Sequence, residues 1–145
     1  MNFEDCLKNK SVKKVSSGKE AGKSLLKLVE ARLIEVKKIE NPTLKVEAYY
    51  EILKELITIL LFNEGYKSYS HECLISFLKR KFSDKLSLGK IELINQLRLL
   101  RNDIAYRGIF VEKDYLNRNE KEILIIINLL KDLAKNYRNL TQKKI

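Results

Sequence analysis

The chain has 145 residues, of which 45% are hydrophobic and 33% are charged, and its formal net charge at pH 7 is +10. This length predicts one domain with a sizeable core. The chain has only one proline and five glycines, and this scarcity of helix-breaking residues favours helices. The longest apolar run, residues 56–62, is too short to span a bilayer, and the first residues do not resemble a signal peptide. We therefore expect a soluble cytoplasmic protein without a membrane partner.

The excess of basic residues has two explanations. An isoelectric point near 9.5 favours an anionic partner, although charge alone carries no specificity. A lysine-rich or heat-adapted proteome, in which lysine and glutamate are both abundant, would produce the same balance.

The two cysteines, Cys6 and Cys73, lie far apart and show no spacing typical of metal ligands. His71, the only histidine, lies two residues before Cys73, but a zinc site needs more ligands than these. The sequence therefore predicts two reduced thiols, no metal and no cofactor.

In chain order, residues 1–18 are predicted to form a short helix around Phe3, Cys6 and Leu7, followed by a basic connector. The lysines of this segment are expected to be mobile and solvated rather than bound to phosphates; they are Lys8, Lys10, Lys13 and Lys14. A capping box at residues 17–20 starts a long helix that we expect to end near Glu40.

The next helix is predicted over residues 42–63, with Asn41 as its cap and Pro42 at its first position. Its surface is apolar almost all round, which indicates a central position in a bundle or a buried subunit contact. Tyr49 and Tyr50 are interpreted as core aromatics with solvated hydroxyl groups.

Ser70 is suited to cap a third long helix, whose first residue is His71. A polar loop at residues 83–89 leads to a fourth helix. Residues 109–117 are predicted to be irregular, with Phe110 and its neighbours folded back over the end of that helix. Asn119 resembles the cap of a last helix, and residues 141–145 are expected to form a frayed basic tail.

Most of the candidate functional side chains lie in residues 96–110, and the fourth helix is predicted to end within this stretch, near Gly108. Apolar residues at helical spacing predict a core-facing side; they are Leu93, Leu97, Leu100 and Ile104. Arg98, Arg101 and Asn102 share a second, polar side. The ordinary interpretation is a solvated helix end with an ion pair between Asp103 and Arg107.

Three stretches together resemble the HEPN family of small helical domains, which is associated with nucleotide and RNA chemistry. The stretch from Arg101 to Tyr106 is similar to the Arg-Asn-x-x-x-Tyr motif of a branch often encoded beside minimal nucleotidyltransferases. Most HEPN domains carry Arg, four to six residues and then His. The other two stretches are Ala48-Tyr49-Tyr50-Glu51 and Ser70-His71-Glu72-Cys73-Leu74-Ile75.

The resemblance implies an all-α, antiparallel bundle of four to five helices over residues 19–140. In active HEPN ribonucleases, two subunits join their motifs in one cleft and cut RNA without a metal. Mapped onto this chain, Arg101 would clamp a phosphate, Asn102 would be its polar neighbour, and Tyr106 would stand where most members have the histidine. The remaining predicted ligand-binding residues are Arg98, Arg107 and His71.

Three functions are compatible with these features. The first, which we favour, is a homodimeric module that binds RNA or nucleotide, or pairs with a nucleotidyltransferase, with weak or no catalysis. The second is a metal-independent ribonuclease toxin that uses Arg101 and Tyr106. A tyrosine with an ordinary pKa near 10 is a poor general base at neutral pH, which argues against the second. The third is a purely structural helical adaptor.

Overall fold

The structure, a computed structural model, describes residues 1–16 and 19–143. Most of these residues are helical, and one small two-stranded sheet accompanies the helices. The prediction of an all-α helical bundle is confirmed. In chain order the elements are α1 (Phe3–Lys8), β1 (Val12–Lys14), α2 (Lys19–Val36), α3 (Pro42–Asn63), β2 (Tyr66–Ser68), α4 (His71–Lys81), α5 (Leu88–Arg107) and α6 (Lys113–Lys143).

Helix α3 lies at the centre of the bundle and packs against α2, α4, α5 and α6. The side chain of its cap, Asn41, accepts hydrogen bonds from the backbone N–H groups of Thr43 and Leu44 at 2.9 and 3.2 Å. Pro42 occupies the first turn, where no N–H donor is needed. Both ends agree with the predicted range, and the apolar surface of this helix is buried by the other helices of the same chain.

The two adjacent tyrosines of α3 lie in the core, as predicted: Tyr49 is 3% exposed and Tyr50 is 2% exposed. Their hydroxyl groups bind protein partners and not solvent alone. The Tyr49 hydroxyl donates to Glu120 of α6 at 2.7 Å, and Tyr50 bonds to His71 of α4. These bonds connect the central helix to two of its neighbours.

The N-terminal segment shares the core of the bundle. Phe3 is buried and packs against the rings of Tyr66 and Phe77, with centroids 5.4 and 5.6 Å apart. Helix α1 thereby lies on α4, and Cys6 forms a disulfide with Cys73. The prediction of two reduced thiols is wrong. The packing of α1 against α4 brings the two cysteines together, although 67 positions separate them in the sequence. Disulfides are uncommon in cytosolic proteins, and a cytoplasmic location stays a prediction.

The small sheet was not predicted. Its strands run antiparallel, with Lys13 opposite Lys67. Lys10, with a left-handed φ of 64°, turns the chain from α1 into β1, and Gly65, with φ 81°, turns it from α3 into β2. Strands of three residues are too short to show the alternation by which a strand is recognised in a sequence.

Helix α6 begins at Lys113, and the predicted start at Asn119 is wrong. Asn119 lies inside the helix, where its Nδ2 donates to the carbonyl of Tyr115 at 2.9 Å. Leu116 is buried and continues the apolar side of the helix one heptad back from Ile123, so core packing extends the helix in that direction.

The segment before α6 also differs from its prediction. Phe110 was expected to cover the end of α5, yet it is 81% exposed. The backbone N–H of Val111 donates to Thr43 Oγ1 at 2.8 Å, which fixes the segment to the start of α3.

Helix α2 ends at Val36, earlier than the expected end near Glu40. Residues 17 and 18 of the predicted capping box lie outside the described residues, as does the end of the predicted tail. Within the part of the chain that the structure describes, no helix combines the length and the apolar character that a membrane span requires.

Candidate functional site

Helix α5 carries the predicted motif, and its ends are fixed by local chemistry. The Ser87 hydroxyl caps it by accepting from the Lys90 N–H at 3.3 Å. Gly108 ends it with φ 65°, a left-handed conformation that suits glycine, and the Gly108 N–H donates back to the carbonyl of Ile104. Leu97 is fully buried, and Leu100 and Ile104 pack against the core, so the predicted apolar side of α5 is confirmed.

Helix α4 brings the only histidine to this part of the bundle. Ser70 caps α4 through a bond from the Cys73 N–H at 3.4 Å, and His71 is the first helical residue. The His71 Nδ1 lies 3.2 Å from the hydroxyl of Tyr50, and the two rings are tilted, with centroids 5.8 Å apart. The sequence did not predict this partner for His71.

The arginines of α5 act electrostatically on this pair. Burial raises the pKa of Tyr50 to about 12, against the opposing effect of the positive charges on Arg98 and Arg101. The pKa of His71 is lowered, first by burial and then by the charges of Lys54 and Arg101. The imidazole is therefore neutral at physiological pH, as its pKa lies below an ordinary value near 6.5.

Neither of these two arginines forms an ion pair with a carboxylate of the described residues. Both are half-buried. The Nε of Arg98 donates to Asn95 Oδ1 at 3.0 Å, an interaction with a neutral group that leaves the positive charge uncompensated. A half-buried cation without an anionic partner is a natural site for an anion from solution.

A groove of about 650 Å³ adjoins the site between α1, α4 and α5. Asn95 and Arg98 line one side of it, and Ser76, Lys79 and Arg80 line the other. Its two carboxylates already have partners: Glu4 pairs with Arg80 at 3.3 Å, and Glu72 with the N-terminal amine at 3.8 Å. Arg98 thus belongs both to the groove and to the surroundings of Tyr50 and His71.

The other predicted site residues lie at the end of α5. Arg107 pairs with Asp103 at 3.6 Å, which is the ion pair expected from the ordinary interpretation of the motif. Asn102 is half-buried, and Tyr106 is 80% exposed. Five positions separate Arg101 from Tyr106, so their side chains leave the helix about 140° apart, and the two do not meet within one protomer.

The structure therefore brings together Arg98, Arg101, His71 and Tyr50, and it leaves Tyr106 apart from them. Among the described residues, no three metal-ligating side chains cluster. The site offers two guanidinium groups and a neutral imidazole that is hydrogen-bonded to a phenol hydroxyl. Such a group can bind phosphate oxygens and hold or move a proton.

Tyr50 is the site residue that the sequence analysis missed, because it was interpreted only as a core aromatic. A signal was present, because Tyr50 and His71 each lie in a stretch that resembles HEPN domains. Comparison with protein-family models, curated proteins and solved structures found no match for this chain. Functional conclusions rest on the chemistry of the site, since a helical bundle by itself implies no activity.

Proposed function

We propose that the protein is a HEPN-like homodimeric module that binds RNA or a nucleotide at Arg98 and Arg101, beside His71, with little or no catalysis. One observation carries the proposal: two half-buried arginines without a carboxylate partner among the described residues lie near enough to the hydrogen-bonded Tyr50–His71 pair to act on it electrostatically. Guanidinium groups match phosphate oxygens in shape and charge, and partial burial strengthens that attraction.

The neutral state of His71 suits the imidazole to hydrogen bonding with a ligand rather than to charge pairing. A protonated imidazole beside two arginines would repel them, whereas a neutral one hydrogen-bonds without adding charge. Its bond to Tyr50 holds the ring in one orientation. The adjoining groove of about 650 Å³ has room for a nucleotide next to Arg98.

The homodimer is proposed from the outer face of α5. Leu88, Leu99 and Tyr106 are 66%, 48% and 80% exposed, and their spacing puts them on one side of the helix. Phe110 adds a further exposed ring just beyond the helix. A row of large apolar side chains in water favours association, and this row lies next to the side of α5 that carries Arg98.

Arg101→Ala tests the ligand site. We expect affinity for a labelled RNA, measured by fluorescence anisotropy, to fall roughly tenfold or more, because a hydrogen-bonded charge contributes about 1.5–3 kcal/mol. Arg118→Ala is the matched control: Arg118 pairs with Asp114 at 3.1 Å on α6, and its removal changes the net charge equally.

Unchanged binding by Arg101→Ala, with an unchanged circular dichroism spectrum, would remove the arginine site from consideration. Absence of RNA and nucleotide binding by the wild type would instead favour a structural adaptor, the third function considered from the sequence.

A metal-independent ribonuclease is the second candidate, and the neutral His71 favours it. In such a reaction the RNA 2′-hydroxyl attacks the adjacent phosphorus, a base takes the hydroxyl proton, and the leaving 5′-oxygen receives a proton. Arg101 would neutralise charge on the phosphate. Cleavage of a structured RNA in excess chelator, abolished by Arg101→Ala and by either His71→Gln or Tyr106→Phe, would establish this activity and name the proton carrier.

Pairing with a minimal nucleotidyltransferase is proposed from the Arg-Asn-x-x-x-Tyr motif. The enzyme would then occupy the exposed side of α5 in place of a second copy of the chain, and Tyr106 is the most exposed large hydrophobic side chain of that helix. Co-purification with such an enzyme, lost in Tyr106→Glu, is the expected result.

A further inference from the structure

A second basic surface lies on the small sheet and the turns that flank it. Residues 8–16 and 65–70 contain five lysines and no acidic residue. None of these lysines forms an ion pair with a carboxylate of residues 1–16 or 19–143. The surface, named here the lysine ribbon, consists of Lys8, Lys10, Lys13, Lys14, Lys67 and Tyr69.

The register of the sheet sets two like charges against each other. Lys13 lies directly opposite Lys67, on the side of the sheet away from the buried Val12. Like charges at directly opposed positions destabilise an antiparallel pair. An anion bound between the two ammonium groups would remove this repulsion, so the arrangement favours a negatively charged ligand.

An aromatic ring lies within this group of lysines. Tyr69 is 60% exposed, and the Nζ atoms of Lys13 and Lys67 lie 5.5 and 5.2 Å from its ring centroid. Its backbone N–H donates to the carbonyl of Ser11 at 2.7 Å, which fixes the start of this side chain against the sheet. Exposed aromatic rings among cations are typical of surfaces that stack unpaired bases.

The lysines also line a groove of about 520 Å³. Lys10, Lys13 and Lys14 contribute the charged part of its wall, and Leu7 and Val12 the apolar part. Lys10 has a left-handed backbone conformation, which is uncommon for a residue with a Cβ atom. That conformation turns the chain from α1 into β1 and so brings the Lys10 side chain to the same groove as Lys13.

The ribbon ends close to the arginine site. Tyr69 is followed by Ser70, the cap of α4, and then by His71. Two residues of extended chain span at most about 7 Å, so one RNA strand that is long enough for both sites can pass from His71 over Tyr69 without a break.

We propose that the lysine ribbon binds the backbone of single-stranded RNA, with Tyr69 stacking an unpaired base. This inference rests on the proposed function, because the same strand would occupy the arginine site and continue over Tyr69. Single strands are favoured over duplexes because only they offer an unpaired base face to the tyrosine. The ribbon then determines how long an RNA the protein holds.

The test compares two labelled oligonucleotides of about 4 and about 16 nucleotides, the range that single-strand-binding domains cover. The ribbon variant carries Lys10→Gln, Lys13→Gln and Lys67→Gln together. A charge-matched control carries Lys37→Gln, Lys121→Gln and Lys135→Gln, which alter one exposed lysine just beyond α2 and two on α6. Anisotropy titrations between about 50 and 200 mM salt give both the affinity and its salt dependence.

For the longer RNA, we expect the ribbon variant to reduce the slope of log K against log salt by about 2, because each phosphate contact contributes about 0.7. At 0.1 M salt this corresponds to roughly a hundredfold loss of affinity. The shorter RNA should bind unchanged. Tyr69→Ala should weaken binding of the longer RNA roughly tenfold, and Tyr69→Phe should not.

Equal losses in the ribbon and control variants would overturn the inference, since net charge alone would explain them. So would unaltered binding of the longer RNA by the ribbon variant, even if Arg101→Ala abolished binding and the proposed function stood. Ribbon-dependent binding to vesicles of phosphatidylcholine and phosphatidylserine, without ribbon-dependent RNA binding, would assign the surface to lipid headgroups. If the wild type bound neither RNA, both proposals would fail together.

Discussion

His71 is the one histidine in the chain, so its imidazole dominates the change of side-chain charge between about pH 5 and pH 7. Burial and the nearby cations hold its pKa below the ordinary value in the folded state. In the unfolded chain it takes up a proton near pH 6.5. Below that pH the unfolded state binds more protons than the folded state, so the free energy of unfolding falls as the pH is lowered.

We therefore predict that the melting temperature decreases from about pH 7 to about pH 5, and that His71→Gln makes this decrease smaller. Glu55 has a raised carboxyl pKa that acts in the opposite direction, but it is present in both proteins. Thermal unfolding followed by circular dichroism measures the difference. Identical pH profiles for the two proteins would mean that His71 titrates normally in the folded state.

Which site residues the sequence could predict depends on whether their positions follow from local spacing. Arg98 and Arg101 are three positions apart on one helix, so their common side was evident. The contact between Tyr50 and His71 depends on how α3 packs against α4, and no spacing within the chain encodes it. Tyr106 was assigned from a resemblance, and its chemical role stays a prediction.

At the scale of the elements, the disulfide links α1 covalently to α4. Cys6 and Cys73 close a loop of 67 residues between α1 and α4. Loop closure of this length restricts the unfolded chain and contributes about 4 kcal/mol in the chain-entropy model.

We predict that replacing both cysteines by alanine lowers the free energy of unfolding by about 2–4 kcal/mol in urea titrations. Amide hydrogen exchange should accelerate most in α1 and β1, because the bond fixes α1 to α4. Two free thiols in the untreated protein, measured by mass spectrometry after alkylation, would contradict the disulfide and its contribution to stability.

Element boundaries were predicted well where a cap determines them. Asn41 with Pro42, Ser70 and Gly108 each occupy the predicted position, because capping is a property of a few adjacent residues. The start of α6 was missed because the residues from Asn119 onward match the sequence pattern of a helix cap. The helix begins earlier, since Leu116 is buried in the core. The strands were missed because their pairing joins residues distant in the sequence.

For the whole molecule, the proposed dimer requires the outer face of α5. The apolar surface of α3 suggested a partner from the sequence, yet the other helices of the same chain bury it. The exposed row that includes Leu99 and Tyr106 replaces it as the expected contact.

Light scattering at micromolar concentration should give twice the 17.0 kDa mass of the chain. Leu99→Glu should shift the protein to a monomer, because it introduces a charge into an apolar contact. Ile34→Glu is the matched control, since Ile34 is 61% exposed on α2. A monomeric wild type, or equal effects of the two substitutions, would contradict a dimer through α5.

The most direct test of the arginine site is a nuclear magnetic resonance titration with an RNA of about 4 nucleotides, short enough to occupy a single site. We predict that the largest amide shifts fall at Arg98, Arg101, Asn102 and His71, and that Arg101→Ala removes them. Shifts confined to α2 or α6, or a pattern unchanged in Arg101→Ala, would contradict the account.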